Sequence, residues 1–142
     1  MPLALGISLA ISSVLGGPQA APATTPVVVA EVQSVRSSVE EYFADLPIMV
    51  AISECESHYR QFNNDGSVFR GKQNTKDVGV MQINEYYHED TAEKLGFDLY
   101  TLDGNMAYAR YLYKREGVAP WASSQACWSK SKAAKVVALT AK

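Results

Sequence analysis

The stretch between Pro47 and Asn84 constrains the fold of this chain most strongly, because it joins a clear helical pattern to a short apolar motif. In its first part, apolar side chains recur at the spacing of one helix face, at Ile48, Ala51, Ile52, Cys55 and Tyr59. Pro47 suits the first turn of a helix, and Asp45 is placed to cap it. The pattern therefore predicts a helix over residues 47–59.

Glu56 lies near the end of this predicted helix, beside its apolar face. A carboxyl group in that place is partly desolvated, which raises its pKa and lets it keep a proton near neutral pH. Such a group can deliver a proton to a leaving oxygen. The alternative is an exposed glutamate at a helix end, since Glu is mostly exposed in proteins. Glu54 lies on the opposite side of the helix and is expected to face solvent.

The second part of the stretch, residues 77–84, reads Asp-Val-Gly-Val-Met-Gln-Ile-Asn. Gly79 within it permits a close approach of the backbone to another group. A polar region precedes this motif and contains a strong turn signal, Asn-Asn-Asp-Gly, at residues 63–66. We expect a small β-hairpin in which residues 68–69 form the outgoing strand and residues 76–80 return.

Further helices are predicted on both sides of this stretch. Residues 31–44 form one of them. Residues 86–95 form a second helix that stops at Gly96, and residues 102–116 form a third that ends at Gly117. The expected fold class is therefore mainly α (α+β), with a minor β-hairpin.

Composition divides the chain into three parts. Its 142 residues, 47% hydrophobic and 20% charged, fit one globular domain, which we place at residues 31–128. Residues 1–30 carry no charged side chain and resemble the apolar leader of an exported protein, followed by a Pro- and Ala-rich linker. No Lys or Arg precedes the apolar run, and the alternatives are a disordered leader that is not cleaved or a misplaced start of the sequence. Residues 129–142 are basic and predicted to be a flexible tail.

Charge and residue counts exclude several classes of function. A net charge of −2 gives no basic footprint for nucleic acid. Two cysteines are too few for a zinc cluster of ordinary spacing, and the two histidines are interpreted as surface or loop residues. The leader is shorter than the roughly 20 apolar residues that span a bilayer. We therefore expect a monomer with no metal, no cofactor and no stable membrane span.

Glu56-Ser57 at the end of a helical run, followed by the motif at residues 77–84, resembles the lysozyme-like superfamily. The pattern is similar to the lytic transglycosylases, both the soluble type and the small enzymes of bacterial conjugation and secretion systems. They carry a Glu-Ser pair on a helix and Asp-x-Gly-x-Met-Gln-Ile-Asn beyond a loop. Animal c-type lysozymes have a similar Asp-x-Gly-x-x-Gln-Ile-Asn. The resemblance covers residues 48–128 and implies a small lysozyme-like helical domain.

This resemblance implies an enzyme that cleaves the β-1,4 bond between MurNAc and GlcNAc in the glycan strands of peptidoglycan. Glu56 is the expected acid, and its conjugate base then closes an anhydro ring on MurNAc. In the alternative of a lysozyme-type hydrolase, water is the acceptor and Asp77 is the second carboxylate. Asp77 can also be a plain turn residue. A third alternative is a non-catalytic glycan-binding protein with this fold.

The resemblance implies that Met81, Gln82 and Asn84 line the floor of a glycan-binding cleft. Tyr59, Tyr108 and Trp121 are further candidate contacts, because aromatic side chains suit the apolar faces of sugars. Ser57 is expected to orient Glu56. Met81 and most of the aromatic side chains have core packing as their alternative role. Many related enzymes carry Tyr-Asn after the late tryptophan, which this chain lacks. Gln125 or Trp128 is the candidate replacement.

Resuscitation-promoting factors share the Cys-Glu-Ser triplet at residues 55–57 and a cysteine after a late Trp-containing segment, here Cys127. If the chain is exported to the cell envelope, periplasm or medium, Cys55 and Cys127 are expected to form a disulfide. If it is not exported, they are two reduced, buried thiols. The pairing thus depends on the interpretation of the leader.

Overall fold

The computed structural model describes residues 33–140, with side chains through residue 136. This part is mainly helical with a small two-stranded antiparallel sheet, so the predicted fold class is confirmed. The predicted leader and linker, residues 1–30, lie outside the described residues. In chain order the elements are α1 (Val35–Tyr42), α2 (Pro47–Ser57), β1 (Asp77–Val78), β2 (Ile83–Asn84), α3 (Glu85–Lys94), α4 (Leu102–Glu116), a 3-10 helix (Ala119–Ser124), α5 (Gln125–Trp128) and α6 (Lys132–Thr140).

Helix α2 is the central element, because it packs against α1, α5, α6 and the 3-10 helix. Its predicted apolar face is buried at Ile48 and Ile52, and Met49 widens the buried surface. The helix ends at Ser57, before the predicted residue 59, because His58 adopts a φ of 53°. The buried side chains of α2 join one core with others from α1, the segment 77–83, α4 and the two tryptophans.

Asp45 does not cap α2, and that prediction is wrong. Leu46 occupies the N-cap position directly before Pro47 and makes no side-chain hydrogen bond there. Asp45 lies one residue too early, and its carboxylate accepts hydrogen bonds from both Nη atoms of Arg110 at 2.8 Å. Because Arg110 belongs to α4, this ion pair fastens the corner between α1 and α2 to α4.

The hairpin lies further along the chain than the sequence predicts. β1 pairs with β2, so the residues expected to return along the first strand instead begin a new hairpin. The predicted pairing is seen only in part: the Gly79 N–H donates a hydrogen bond to the Phe69 carbonyl at 2.8 Å, and Arg70, just after the predicted strand, forms a single bridge with Val78. The tight turn at 79–82 is made possible by positive φ angles of 72° at Gly79 and 50° at Gln82. A positive φ at glutamine carries no clear sequence signal, which explains the difference.

Helices α3 and α4 lie close to their predicted bounds. α4 spans the predicted residues, and its first turn is capped by Thr101 Oγ1, which accepts a hydrogen bond from the Gly104 N–H at 3.1 Å. It ends at Gly117, whose φ is 62°. α3 begins at Glu85, one residue before its predicted start. No helix in the described part of the chain is long and apolar enough to cross a membrane.

The basic C-terminal segment contains a helix where the sequence suggests a flexible tail. α6 packs against α2, and Ala133 and Ala134 lie half-buried against the core. The Ala134 N–H donates a hydrogen bond to Ser131 Oγ at 3.1 Å, which satisfies a free amide of the first turn. Alanine favours helix formation, and its small side chain permits close packing. α6 therefore adds helical structure beyond residue 128.

Candidate active site

Glu56 lies in the last turn of α2, and its carboxyl group is half-buried. Burial raises the pKa of Glu56; a hydrogen bond from Ser124 opposes this shift, and the nearby charge of Asp77 reinforces it. The Ser124 Oγ donates this hydrogen bond to Glu56 Oε1 at 2.6 Å. The predicted direction of the pKa shift is confirmed. Glu56 can therefore keep a proton at a higher pH than an exposed glutamate.

A cleft surrounds Glu56 and consists of two adjoining cavities of about 290 and 390 Å³. Both cavities are lined by Glu56, Asp77, Gln82 and Ser123. We call the first cavity the Tyr87 half; it is also lined by Ile83, Asn84, Tyr87, His88, Leu112, Glu116, Pro120 and Trp121. We call the second the Lys72 half; it is also lined by His58, Arg60, Phe69, Gly71, Lys72, Gln73, Asn74 and Ser124.

Ser57 does not reach the cleft. It is fully buried, and its Oγ donates a hydrogen bond to the Val80 carbonyl at 2.8 Å and accepts one from the Arg60 N–H at 3.1 Å. Ser57 therefore does not orient Glu56 or reach a ligand in the cleft, as the sequence had suggested. Instead it bonds the end of α2 to the segment 77–84. The serine after Glu56 therefore has a structural role, which is to bond the end of α2 to Val80.

Tyr59 also lies away from the cleft. His58 and Tyr59 have consecutive positive φ angles of 53° and 59°, which turn the chain sharply after α2. The Tyr59 ring consequently packs near α1, where the Arg36 guanidinium lies 5.1 Å from its centroid. Tyr59 does not line either half of the cleft, so the structure does not bring it together with the other residues expected to contact the glycan.

Two buried amide side chains that sequence reasoning did not assign to the site hold the segment 77–84. The Val80 N–H donates a hydrogen bond to Gln61 Oε1 at 2.8 Å, and the Met81 N–H donates one to Asn105 Oδ1 at 2.9 Å. Asn105 Nδ2 in turn donates to the Val78 carbonyl at 3.0 Å. Both amides are fully buried. The backbone of the cleft floor is therefore bonded to side chains from distant parts of the chain.

Gly79 is the point where this arrangement leaves no room for a side chain. A Cβ atom there would lie 2.6 Å from Gln61 Oε1 and even closer to Asn105 Nδ2, and the φ angle of Gly79 is 72°. We expect Gly79→Ala to lower the free energy of unfolding by at least about 2 kcal/mol, measured by urea denaturation. Gly66→Ala is the matched control, because Gly66 has a φ of 82° with no atom near the added Cβ. Equal losses in the two variants would contradict the steric explanation.

Three of the predicted contact residues are core residues beneath the cleft. Met81 is fully buried, and its carbonyl accepts a hydrogen bond from Trp121 Nε1 at 2.9 Å. Trp121 is only 2% exposed, although it is among the residues that line the Tyr87 half. Tyr108 is 1% exposed, and its hydroxyl lies 3.0 Å from His88 Nδ1. These side chains support the cleft wall, and the core alternative applies to Met81 and Tyr108.

Asp77, Gln82 and Asn84 do reach the cleft. Asp77 Oδ1 accepts hydrogen bonds from Asn84 Nδ2 at 2.7 Å and from Asn74 Nδ2 at 3.2 Å. The Asn84 Oδ1 atom is buried and has no hydrogen-bond partner among the described residues. The Asn84 amide thus positions Asp77, and Gln82 Nε2 likewise donates a hydrogen bond to the Gly79 carbonyl at 2.8 Å.

The predicted disulfide between Cys55 and Cys127 is confirmed, with an S–S distance of 2.04 Å. It joins α2 to α5, directly after the 3-10 helix that carries Ser124.

In the segment around this disulfide, Ser123 and Ser124 line the cleft, whereas Gln125 does not. Trp128 is buried, and its Nε1 donates a hydrogen bond to the Trp121 carbonyl at 3.0 Å. Neither of the candidate replacements for Tyr-Asn therefore reaches the cleft.

Glu85 is a buried acidic residue that the sequence did not single out. Its Oε1 accepts hydrogen bonds from Arg70 Nη1 at 2.9 Å and Lys76 Nζ at 3.3 Å, and its Oε2 accepts one from the Tyr100 hydroxyl at 3.0 Å. The hydrogen bond from Arg70 is the main reason that the pKa of Glu85 is lowered. This cluster fixes both ends of the loop 70–76, which forms a wall of the Lys72 half.

No protein-family model matches the sequence, and no curated protein or solved structure matches it significantly. Within residues 33–140 no group of three or more His, Cys, Asp or Glu side chains is placed to hold a metal ion. The cleft does offer one half-buried acid, two further carboxylates and several hydrogen-bonding side chains.

Proposed function

We propose that the protein is a peptidoglycan lytic transglycosylase, which cleaves the β-1,4 bond between MurNAc and GlcNAc and leaves anhydro-MurNAc ends. The observation that supports this most directly is Glu56, a half-buried carboxyl with a raised pKa at the centre of an open cleft. Breaking a glycosidic bond requires a proton on the leaving oxygen, and a carboxylic acid of this kind supplies it.

In the proposed mechanism, Glu56 donates its proton to the glycosidic oxygen as the bond from this oxygen to the muramyl C1 breaks. The carbonyl oxygen of the substrate's own N-acetyl group stabilises the oxocarbenium-like C1. The Glu56 carboxylate then removes the proton of the muramyl C6 hydroxyl, whose oxygen bonds to C1. This step closes the anhydro ring and returns the proton to Glu56. Ser124, which donates a hydrogen bond to Glu56 Oε1, keeps the carboxyl oriented.

A lysozyme-type hydrolase is the second candidate, and Asp77 is the observation in its favour. Asp77 lines both halves of the cleft, and its charge contributes to the raised pKa of Glu56. In a hydrolase the second carboxylate acts as nucleophile or base, and water supplies the new oxygen. We favour the transglycosylase because Asp77 Oδ1 already accepts hydrogen bonds from two amide side chains. These bonds give Asp77 a structural role in the cleft wall that does not require it to act in the reaction.

Substitution of Asp77 distinguishes the two enzymes. We expect Asp77→Asn to lower the rate of peptidoglycan cleavage less than about tenfold, because asparagine retains the accepting Oδ1 atom and a transglycosylase needs no ionised partner for Glu56. In a hydrolase the loss should be at least about 10²-fold. Asp90→Asn makes the same change at an exposed site outside the cleft and serves as the control.

The products give the decisive test of the proposed reaction. After digestion of peptidoglycan in heavy-oxygen water, mass spectrometry should find muropeptides that are lighter by one water and carry no heavy oxygen at the new muramyl end. Heavy oxygen at a reducing muramyl end would overturn the transglycosylase in favour of the hydrolase. Absence of any cleavage by the wild type would favour the non-catalytic glycan-binding protein.

The proposed substrate is outside the cytoplasm, and the disulfide is compatible with that location, because disulfides persist in oxidising compartments. We therefore propose an exported, monomeric enzyme of the bacterial cell envelope that acts on peptidoglycan glycan strands. The mechanism uses only side chains of the protein and atoms of the substrate, so the proposal includes no cofactor.

A further inference from the structure

The two halves of the cleft differ in charge. Arg60 and Lys72 line the Lys72 half, and within residues 33–140 neither forms an ion pair. The Tyr87 half contains Glu116 and no Lys or Arg. Its histidine, His88, has a pKa lowered by burial and is therefore neutral at neutral pH. Glu56 and Asp77 are common to both halves, so they do not produce this difference.

The cationic side chains have different degrees of freedom. Arg60 is fixed, since its Nε donates a hydrogen bond to the Ser57 carbonyl at 2.9 Å and its guanidinium lies 4.0 Å from the centroid of the Phe69 ring. Lys72 is exposed, on the loop whose two ends are held by Glu85. One fixed and one adaptable cation beside a cleft can together bind an anionic group.

The Tyr87 half offers a different surface. The Tyr87 side chain is 74% exposed and forms an edge-to-face pair with Tyr86, with ring centroids 5.0 Å apart. An exposed aromatic face suits the apolar face of an uncharged sugar, while Glu116 disfavours a carboxylate nearby. The cleft therefore has an end that attracts negative charge and an end that does not.

We propose that the Lys72 half binds a carboxylate carried by the glycan strand, whereas the Tyr87 half binds uncharged sugar. This inference rests on the proposed function for the class of ligand. In peptidoglycan the carboxylate comes from the lactyl group of a peptide-free MurNAc or from the stem peptide of a substituted one. Recognition of this group at one end fixes the direction and register in which a strand lies across Glu56.

The test is a binding measurement in the Glu56→Gln background, so that the glycan stays intact. The probes are peptide-free GlcNAc–MurNAc oligomers and their peptide-bearing counterparts, each compared with its own methyl ester. The free carboxylate form should bind about fivefold more tightly than the ester at low salt. This preference should disappear at about 1 M salt, where charges are screened beyond about 3 Å. The probe that shows the preference identifies the source of the carboxylate.

Variants assign the preference to the Lys72 half. Lys72→Gln should lose most of the preference, and Lys72→Glu should lose all of it. Lys94→Gln removes the same charge from an exposed site outside the cleft and should keep the full preference. Tyr87→Ala should weaken the acid and ester forms equally.

Two outcomes would overturn this inference. Equal binding of acid and ester, or a full preference retained in Lys72→Gln, would show that the Lys72 half does not recognise a carboxylate while leaving the proposed function intact. If neither glycan bound in any form, the proposed function would fail and this inference with it. The binding data thus distinguish an error about the charged end from an error about the substrate.

Discussion

Replacement of Glu56 by glutamine is expected to abolish cleavage of peptidoglycan and to leave glycan binding in place. The amide has nearly the same shape as the carboxyl group, and its oxygen can still accept the hydrogen bond from Ser124. It has no acid proton to transfer to the glycosidic oxygen. Loss of an essential general acid lowers rates by at least about 10²–10⁴-fold. The measurement is release of soluble muropeptides by wild type and variant at equal concentration.

Glu54→Gln is the matched control for this experiment. Glu54 belongs to the same helix but is exposed, as its position on the opposite side of the helix predicts. The control should retain nearly the full activity. If Glu56→Gln kept more than about a tenth of the wild-type rate, the loss would be too small for a general acid, and Glu56 could not have that role.

The melting temperature at neutral pH shows whether Glu56→Gln remains folded, and its expected value follows from the titration of Glu56. In the unfolded chain Glu56 titrates near 4.5, and burial raises its pKa in the folded protein. Between these two pKa values the folded state binds more protons, so the free energy of unfolding falls as the pH rises through this interval. Glutamine does not titrate. At neutral pH the variant should therefore melt at the same temperature as the wild type or higher, which separates lost chemistry from lost structure.

Removal of the disulfide between Cys55 and Cys127 is expected to have the largest effect on stability. The bond closes a loop with a sequence separation of 72, and restriction of the unfolded chain by such a loop contributes roughly 4 kcal/mol. Small domains have a free energy of unfolding of about 5–15 kcal/mol, so this bond contributes a large share of the stability of the domain. The expected result is a clear fall in the urea midpoint of the double variant Cys55→Ser/Cys127→Ser.

The same substitution should also lower activity below the unfolding transition. Cys55 precedes Glu56, and Cys127 lies three positions after Ser124, so the disulfide holds the two partners of the 2.6 Å hydrogen bond together. Addition of a reductant to the wild type should reproduce the shift in midpoint, and the double variant should not respond to it. A wild type whose midpoint is insensitive to reductant, with two thiols detected by alkylation, would contradict the disulfide.

The sequence was sufficient for those parts of the molecule whose signals are local. The bounds of α4 follow from apolar periodicity and from Gly117, and the raised pKa of Glu56 follows from its position beside an apolar face. The end of α2 could not be predicted, because the positive φ angles there belong to His58 and Tyr59, and neither residue signals a left-handed conformation as glycine does.

The supports of the cleft floor were missed for a different reason. Gln61 and Asn105 are polar residues whose partners lie 19 and 24 positions away in the chain, and neither has a neighbouring motif that marks it. The role predicted for Ser57 was wrong for the same reason, because its partner, the Val80 carbonyl, is 23 positions away in the chain. Sequence patterns indicate which residues are near a site, but long-range bonds determine which of them face the ligand.

The buried amides beneath the cleft have a consequence for the entropy of binding. Because Gln61 and Asn105 hold the backbone from Val78 to Met81 in the folded core, that backbone has little conformational freedom left to lose when a ligand arrives. For the proposed glycan, the ordering cost falls instead on exposed side chains such as Lys72 and Tyr87. Affinity would then be adjusted by changes at the rim, while the floor stays the same from one ligand to the next.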